Sequence, residues 1–253
     1  MTASDIIAMI GAAAWAPQIF QWMREAMKKP KLELIPAPTV RLGYTPAGPF
    51  IQLAAAISSE NRDVIVTDMI IRVEHESREE KVLKWVSVAE TLASFDVPNE
   101  RMSMSKTQNV LAIKVVTEIL TEKYFTFNDP QSQHQGNEKT EIAREQFKYM
   151  GGQGSNAVDD ILRSKEYKQA ERALTDGVFW REGSYLLEIR MSGKELKSVQ
   201  QEVLRMTLTR RDIELLQGNL QLISEVLKAY VTEGEQLQQS WIYVHAPIQV
   251  LES

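Results

Sequence analysis

From Lys31 onward, apolar and polar positions alternate with a period of two. Leu32, Leu34 and Pro36 stand against Lys31, Glu33 and Ile35, which predicts a first short strand. Tyr44–Pro49 (YTPAGP) is a turn by composition, because proline fixes φ and glycine accepts positive φ. A second strand should start at Phe50, with Ile51, Leu53, Ala55 and Ile57 on one face. Ser58–Asp63 makes a polar turn. Thr67, Met69, Ile71 and Val73 then alternate in a third strand, and Glu79-Glu80-Lys81 turns the chain into a fourth over Val82–Val88. Such short spacing predicts an antiparallel meander.

The middle of the chain carries a weaker strand pair, Leu111–Val116 and Tyr124–Asn128, although Val115–Glu122 can also be read as a helical turn. Gln131–Gly136 reads as a polar loop. Residues 137–174 are charged and helix-favouring, broken at Met150-Gly151-Gly152-Gln153-Gly154-Ser155, and are expected to form a solvated helical insertion with i,i+4 charge pairs. Alternation resumes with Tyr185, Leu187, Ile189 and Met191, and Glu202–Leu208 is the return strand. Thr209 offers an N-cap with Asp212 three residues on, a short-armed capping box. It opens an amphipathic helix over 210–231 with Ile213, Leu216, Leu220, Ile223 and Leu227 in one stripe, and Gly234 follows its end. Trp241–Val250 closes the chain as a strand whose Pro247 points to a sheet edge.

The first 30 residues break this texture. Ile6–Met23 carries no charge between Asp5 and Arg24 and is apolar nearly all round apart from Gln18 and Gln21. About 18 apolar residues at 1.5 Å each reach roughly 27 Å, which predicts a single membrane-spanning anchor. Its anchoring residues are Ile6, Ile7, Ile10, Trp15, Ile19, Phe20 and Trp22. The basic residues that follow, Arg24, Lys28, Lys29 and Lys31, would hold the remainder on the cytoplasmic side. Three alternatives stand beside this reading. The helix can lie flat in the interface, pack in the protein's own core or in an oligomer interface of a soluble cytoplasmic protein, or be a cleaved signal around Ala14-Trp15-Ala16. The last is weak, since no Lys or Arg precedes the run and Pro17 follows the cleavage position.

The expected architecture is therefore mainly β with added helices (α+β), an anchor at 1–30 and a β-domain over 31–253. Short turn-punctuated strands and the Gly-x-Tyr strand entry at Gly183–Tyr185 resemble the immunoglobulin-like β-sandwich class at the level of fold. Composition fits a packed domain, with 253 residues, 43% of them apolar. A net charge of −5 with acids and bases mixed along the chain leaves no footprint for nucleic acid. The absence of cysteine excludes disulfides, Cys-ligated metals and a Cys nucleophile.

The search for chemistry is largely negative. His75 lies between Glu74 and Glu76 on a strand, so the acids should face away from it, and it reads as an exposed or edge histidine. His134 and His245 have no H-x-x-x-H or H-E-x-x-H partner. Asp159 and Asp160 are adjacent on a helix, about 100° apart, which suits neither a metal nor a carboxylate dyad. Gly151–Ser155 follows a helix rather than a strand and lacks the G-K-[ST] ending of a phosphate loop. Trp85, Trp180 and Trp241 read as packing residues on or beside strands. No catalytic, cofactor-binding or metal residue is assigned and no cofactor is called for. The function expected is a non-enzymatic interaction or sensing module, tethered to a membrane through residues 6–23 and presenting its β-domain to a protein partner. Self-association is open to it. The alternatives are a soluble assembly protein and an enzyme with an unrecognised site.

Overall fold

The computed structural model describes residues 15, 17–24, 28–97, 100–150, 155–196, 200–234 and 240–251. Residues 17–24 form helix α1. Seven strands follow: β1 (Lys31–Thr45), β2 (Gly48–Glu60), β3 (Val64–His75), β4 (Glu80–Val97), β5 (Glu100–Asn109), β6 (Ile113–Val115) and β7 (Thr121–Asn128). Three helices come next, α2 (Pro130–Tyr149), α3 (Ser155–Arg163) and α4 (Lys165–Thr175). The chain ends with the hairpin β8 (Gly183–Gly193) and β9 (Gln200–Leu208), then α5 (Arg210–Glu233) and β10 (Tyr243–Val250).

The immunoglobulin-like sandwich expected from the alternation is corrected here. Eight strands close on themselves in the order β4-β7-β2-β1-β10-β9-β8-β3, and β3 pairs back onto β4 through Ile70–Glu74 against Lys84–Glu80. Every strand pairing in this antiparallel barrel is continuous, so two separate sheets do not exist. Alternation reports which side chains face inward and is identical in a sandwich and a barrel; closure lives in the long-range pairs. Beyond Ile70, β3 and β4 separate, and the side of β4 that faced β3 pairs with β5 while β3 pairs with β6. The β2–β3 connection crosses between strands that are not neighbours in only three residues, 61–63. Four Cα steps span at most about 14 Å, so the end of β2 and the start of β3 lie within that distance of each other.

The inward positions fill the barrel with side chains. Leu42 and Tyr44 of β1, Ile51, Leu53 and Ile57 of β2, Met69 and Ile71 of β3, Phe125 and Phe127 of β7, and Tyr185 and Ile189 of β8 are buried in one core. One end of the barrel, where β1 turns into β2 and β3 into β4, is covered by α2, α4 and α5. Tyr44 Oη donates to the Leu174 carbonyl at 2.8 Å, and Trp180 Nε1 donates to the Gly43 carbonyl at 2.8 Å. Gly43 is required there, since a Cβ on it would stand 2.8 Å from the Tyr243 ring. The opposite, distal end is free of these helices, and the segment that leads into β1 meets the barrel there. The Lys29 carbonyl accepts from Asn61 Nδ2 in the β2–β3 turn at 3.1 Å, two residues before β1 begins.

Several local expectations need amendment. The polar loop at Gln131–Gly136 is the first part of α2, because Asp129 caps the helix and Pro130 occupies its first turn. Pro247 does not mark a sheet edge. It sits where β10 changes partner, from β1 up to residue 247 to β9 from residue 248, so its missing N–H falls at the hand-over. The box at Thr209 forms as read, with Asp212 N donating to Thr209 Oγ1 and Thr209 N to Asp212 Oδ2, and Gly234 ends α5 at φ 74°.

The anchor is the second large correction. Among the described residues no helix is long and apolar enough to cross a membrane. The single-pass anchor and the membrane localisation drawn from it are therefore withdrawn. Ile6, Ile7 and Ile10 lie outside the described residues.

One buried polar residue fixes the last strand to the helical layer. Asn219 of α5 is fully buried and clamps Ile242, its Nδ2 donating to the carbonyl at 2.7 Å and its Oδ1 accepting from the amide at 2.8 Å. Asn219→Ala leaves both backbone groups unpaired and is expected to cost about 2 kcal/mol in urea unfolding. A loss below about 0.5 kcal/mol would mean that water replaces the clamp.

Candidate interaction surface at the distal end

Three histidines and a polar cluster carry the groups closest to chemistry, and His75 and the cluster each have a structural role. His75 is buried rather than exposed, at 8% accessibility, with its ring 4.7 Å from that of Tyr185. Its Nδ1 accepts the Ser77 amide at 3.2 Å and lies 2.8 Å from Ser77 Oγ, which leaves Nε2–H to donate to the Glu182 carbonyl at 3.1 Å. The Nδ1 lone pair is thus shared with a backbone N–H of its own turn, and the ring pins the β3–β4 turn to the entry of β8. Gly183, at φ 134°, makes room for it, since a Cβ would stand 2.6 Å from His75 Nε2. Tyr185 closes the same corner. Its hydroxyl accepts the Arg181 amide at 2.6 Å and donates to the Arg181 carbonyl at 2.9 Å, and burial pushes its pKa up to about 12. The Gly-x-Tyr signal therefore has a real local meaning without specifying a sandwich.

At the helical end, Lys81 of β4 pairs with Asp129 at 2.9 Å, and Ser132 Oγ donates to the same carboxylate at 2.6 Å. Lys, Ser and Asp in contact suggest a nucleophile, but the ammonium is neutralised by the carboxylate and the carboxylate caps α2 through the Gln131 amide. Ser132 Oγ donates to that carboxylate and accepts from Lys81 Nζ at 3.4 Å, so both neighbours are already engaged with each other. His134 on α2 and His245 on β10 are exposed, as are Asp159 and Asp160 on α3. Among the described residues no group of three or more His, Asp or Glu could hold a metal ion. Trp180 is fully buried, while Trp85 and Trp241 pack partly buried against the core, as read from the sequence.

The distal end has a different character. Trp15, Ile19, Phe20, Trp22 and Met23 of the N-terminal helix are 49–71% exposed. At 100° per residue, Trp22, Trp15, Ile19 and Met23 share an arc of about 100°, Phe20 flanks it, and Gln21 and Arg24 lie opposite. The helix that looked apolar all round is amphipathic over its described length. Arg24, Lys28, Lys29 and Lys31, expected to flank a membrane, are exposed between this helix and the start of β1. More apolar side chains are exposed around the same end: Ile35 on β1, Ile65 at the start of β3, Leu111 before β6, and Ile119 and Leu120 before β7.

One of these positions belongs to a groove that sequence reasoning did not find. On the outer face of the barrel, β2 presents Ala54 and Ala56 between β1 and β7, with Gln52 and Ser58 at either end of the pair. Ala56 pairs with Ile35 of β1 on one side and with Glu122 of β7 on the other, and Ala54 pairs with Tyr124. With Ala37 and Leu120 these residues line an open groove of about 360 Å³. Ile35 and Tyr124 are 46% and 40% exposed along its walls. The signal was present in part, since Ile35 is an apolar residue on the polar face of its strand.

No family model matches the chain, and no curated protein matches it. Among solved structures, a family 123 glycoside hydrolase from Clostridium perfringens, studied for glycolipid glycan hydrolysis, aligns over 72% of this chain and 28% of its own, with 9% identity and a TM-score of 0.34. The chain thus spans little more than a quarter of that enzyme, and a likeness this distant carries no assignment. Fold and surface together define a filled antiparallel barrel with an apolar, helix-bearing end.

Proposed function

We propose that this chain is a non-enzymatic assembly protein whose N-terminal helix is buried in an interface between copies. The observation that carries this reading is the concentration of exposed apolar side chains at the distal end, on α1 and around the barrel edge beside it. Scattered exposed apolar residues need no explanation, but a cluster on an amphipathic helix standing clear of its own domain does. Two copies meeting at this end cover both the helix and the edge. Among the described residues the barrel interior is filled by its own side chains, and the Lys81–Asp129–Ser132 cluster is accounted for by the cap of α2.

Light scattering after size exclusion tests the reading on the full chain. The wild type is expected to run as a dimer or larger at micromolar concentration, and Ile19→Glu with Trp22→Glu as a monomer with an unchanged melting temperature. A wild type that is monomeric at every concentration, or a double variant that assembles equally well, would sink it.

A further inference from the structure

We propose that α1 of a second copy lies in the alanine groove of β2, between Ile35 of β1 and Tyr124 of β7, with Arg24 and Lys28 beside Glu122. This rests on the assembly reading above and names the surface that receives the helix. Three observations carry it.

The first is shape. Ile35 and Tyr124 stand on the strands either side of β2, so the walls are two strand spacings apart, roughly 9.6 Å. A helix with its side chains is about 10–12 Å across, wider than this spacing, so it rests on the walls while side chains of one face reach down to the floor of Ala54 and Ala56. Large residues on that face, Trp15, Ile19 and Trp22, meet small residues on the floor, as interdigitated packing needs.

Charge order is the second. From the distal edge inward, the β7 wall reads Glu122 and then Tyr124, the outer face of β2 reads Glu60, Ser58, Ala56 and Ala54, and the β1 wall reads Lys31, Glu33 and Ile35. Read backward from Lys29, the chain is basic at Lys28 and, on α1, at Arg24, and then apolar at Met23, Trp22, Ile19 and Trp15. A helix crossing from one copy to the other enters with its C-terminal end at the edge, so basic meets acidic and apolar meets apolar. Lys123, which also borders the groove, is occupied by Glu90 at 3.5 Å.

The third is vacancy on both sides. The chain's own helix does not fill its own groove, since the apolar face of α1 and both walls are exposed together. Each copy carries one helix and one groove, so reciprocal exchange is two-fold and closes without leaving a sticky end. Five large apolar side chains from each helix, with the walls they cover, bury on the order of 1,000 Å² or more, the range of specific interfaces.

A chain without cysteine makes the test clean. One full-length variant carries Trp22→Cys and another Ala56→Cys, and equal amounts are mixed and oxidised. A disulfide-linked heterodimer should dominate, with far less linkage in either variant alone. In parallel, Ala54→Trp fills the groove from outside the core and should yield a folded monomer. Glu122→Arg should weaken the dimer about tenfold, and adding Arg24→Glu and Lys28→Glu should restore it. If Ile19→Glu/Trp22→Glu abolishes assembly while Ala54→Trp does not and the mixed cysteines stay unlinked, the helix docks elsewhere and this inference falls while the assembly reading stands. A wild-type monomer overturns both. So does a monomer that instead floats with phosphatidylcholine and phosphatidylglycerol vesicles, since the helix would then be a lipid-binding element.

Discussion

Replacing Trp180 by alanine should cost about 4 kcal/mol and lower the melting temperature by roughly 10 °C. Trp180 joins the α4–β8 connection to the helical end of the barrel. It is fully buried, its ring centroid lies 5.4 Å from that of Phe179 and 5.7 Å from that of Tyr185, and its Nε1 holds the Gly43 carbonyl. Alanine removes the largest of the fully buried side chains, and helices above and strands below can collapse only partly onto the space. Trp180→Phe separates the two contributions. It retains most of the edge-to-face packing, centred on Tyr185, but leaves a buried carbonyl without its donor, so about 1–2 kcal/mol should be lost. Urea unfolding followed by far-ultraviolet circular dichroism measures both. If the alanine variant loses less than about 1.5 kcal/mol, Trp180 is not what ties the helical layer to the barrel.

The sequence showed the pieces of this fold better than their assembly. Facing was legible wherever it is local. Ile51, Leu53, Ala55 and Ile57 were read on one face and are buried together, and Leu216, Ile223 and Leu227 of the α5 stripe lie in the core. The Thr209–Asp212 box was legible because its partners are three residues apart. Closure was not legible. It depends on Ile70–Glu74 meeting Lys84–Glu80 while β1 meets β10 some 200 residues away, and no periodicity encodes a partner. Strand length was hidden as well. β4 runs to Val97 and pairs with a whole strand, β5, whose Ser- and Thr-rich sequence carries little apolar alternation.

The candidate surface was half legible for the same reason. Hydropathy alone singles out the N-terminal run, and a hydropathy average cannot tell an apolar cylinder from an amphipathic helix with a wide apolar arc. Assigning angles to Trp15, Ile19, Trp22 and Met23 against Gln21 and Arg24 can. The groove was out of reach, because its walls come from β1 and β7 and its floor is recognisable only by what it lacks. Ala54 and Ala56 look unremarkable until pairing places Ile35 and Tyr124 beside them. Sites made of shape rather than chemistry leave little trace in one sequence.

Acid should unfold this protein partly through Asp129, and removing that carboxylate should cost about 3 kcal/mol at neutral pH. Burial alone would raise the Asp129 pKa, but hydrogen bonds from Lys81 and Ser132 outweigh it and hold the carboxyl below the ordinary carboxylate value. A folded pKa below the unfolded one, about 3.9, means that the unfolded chain binds the proton more readily. The stabilisation is therefore present in full above about pH 5 and disappears as pH falls through the folded pKa. Asp63 titrates in the same region, held down to about 2 by Lys114 and Thr117, so the wild-type curve alone does not isolate Asp129. Differences between variants do. Asp129→Asn keeps an N-cap oxygen for the Gln131 amide but removes the charge facing Lys81, whereas Asp129→Ala removes both, adding about 1 kcal/mol for the lost cap. Lys81 retains partial solvent access, which keeps its unpaired cost toward the low end of the 3–5 kcal/mol typical of a broken buried pair. Stability measured from pH 7 down to pH 3 should show the wild type converging on Asp129→Asn as acid removes the charge from the former. Parallel curves, with the same gap at both ends, would mean that the pair does not contribute through its charge.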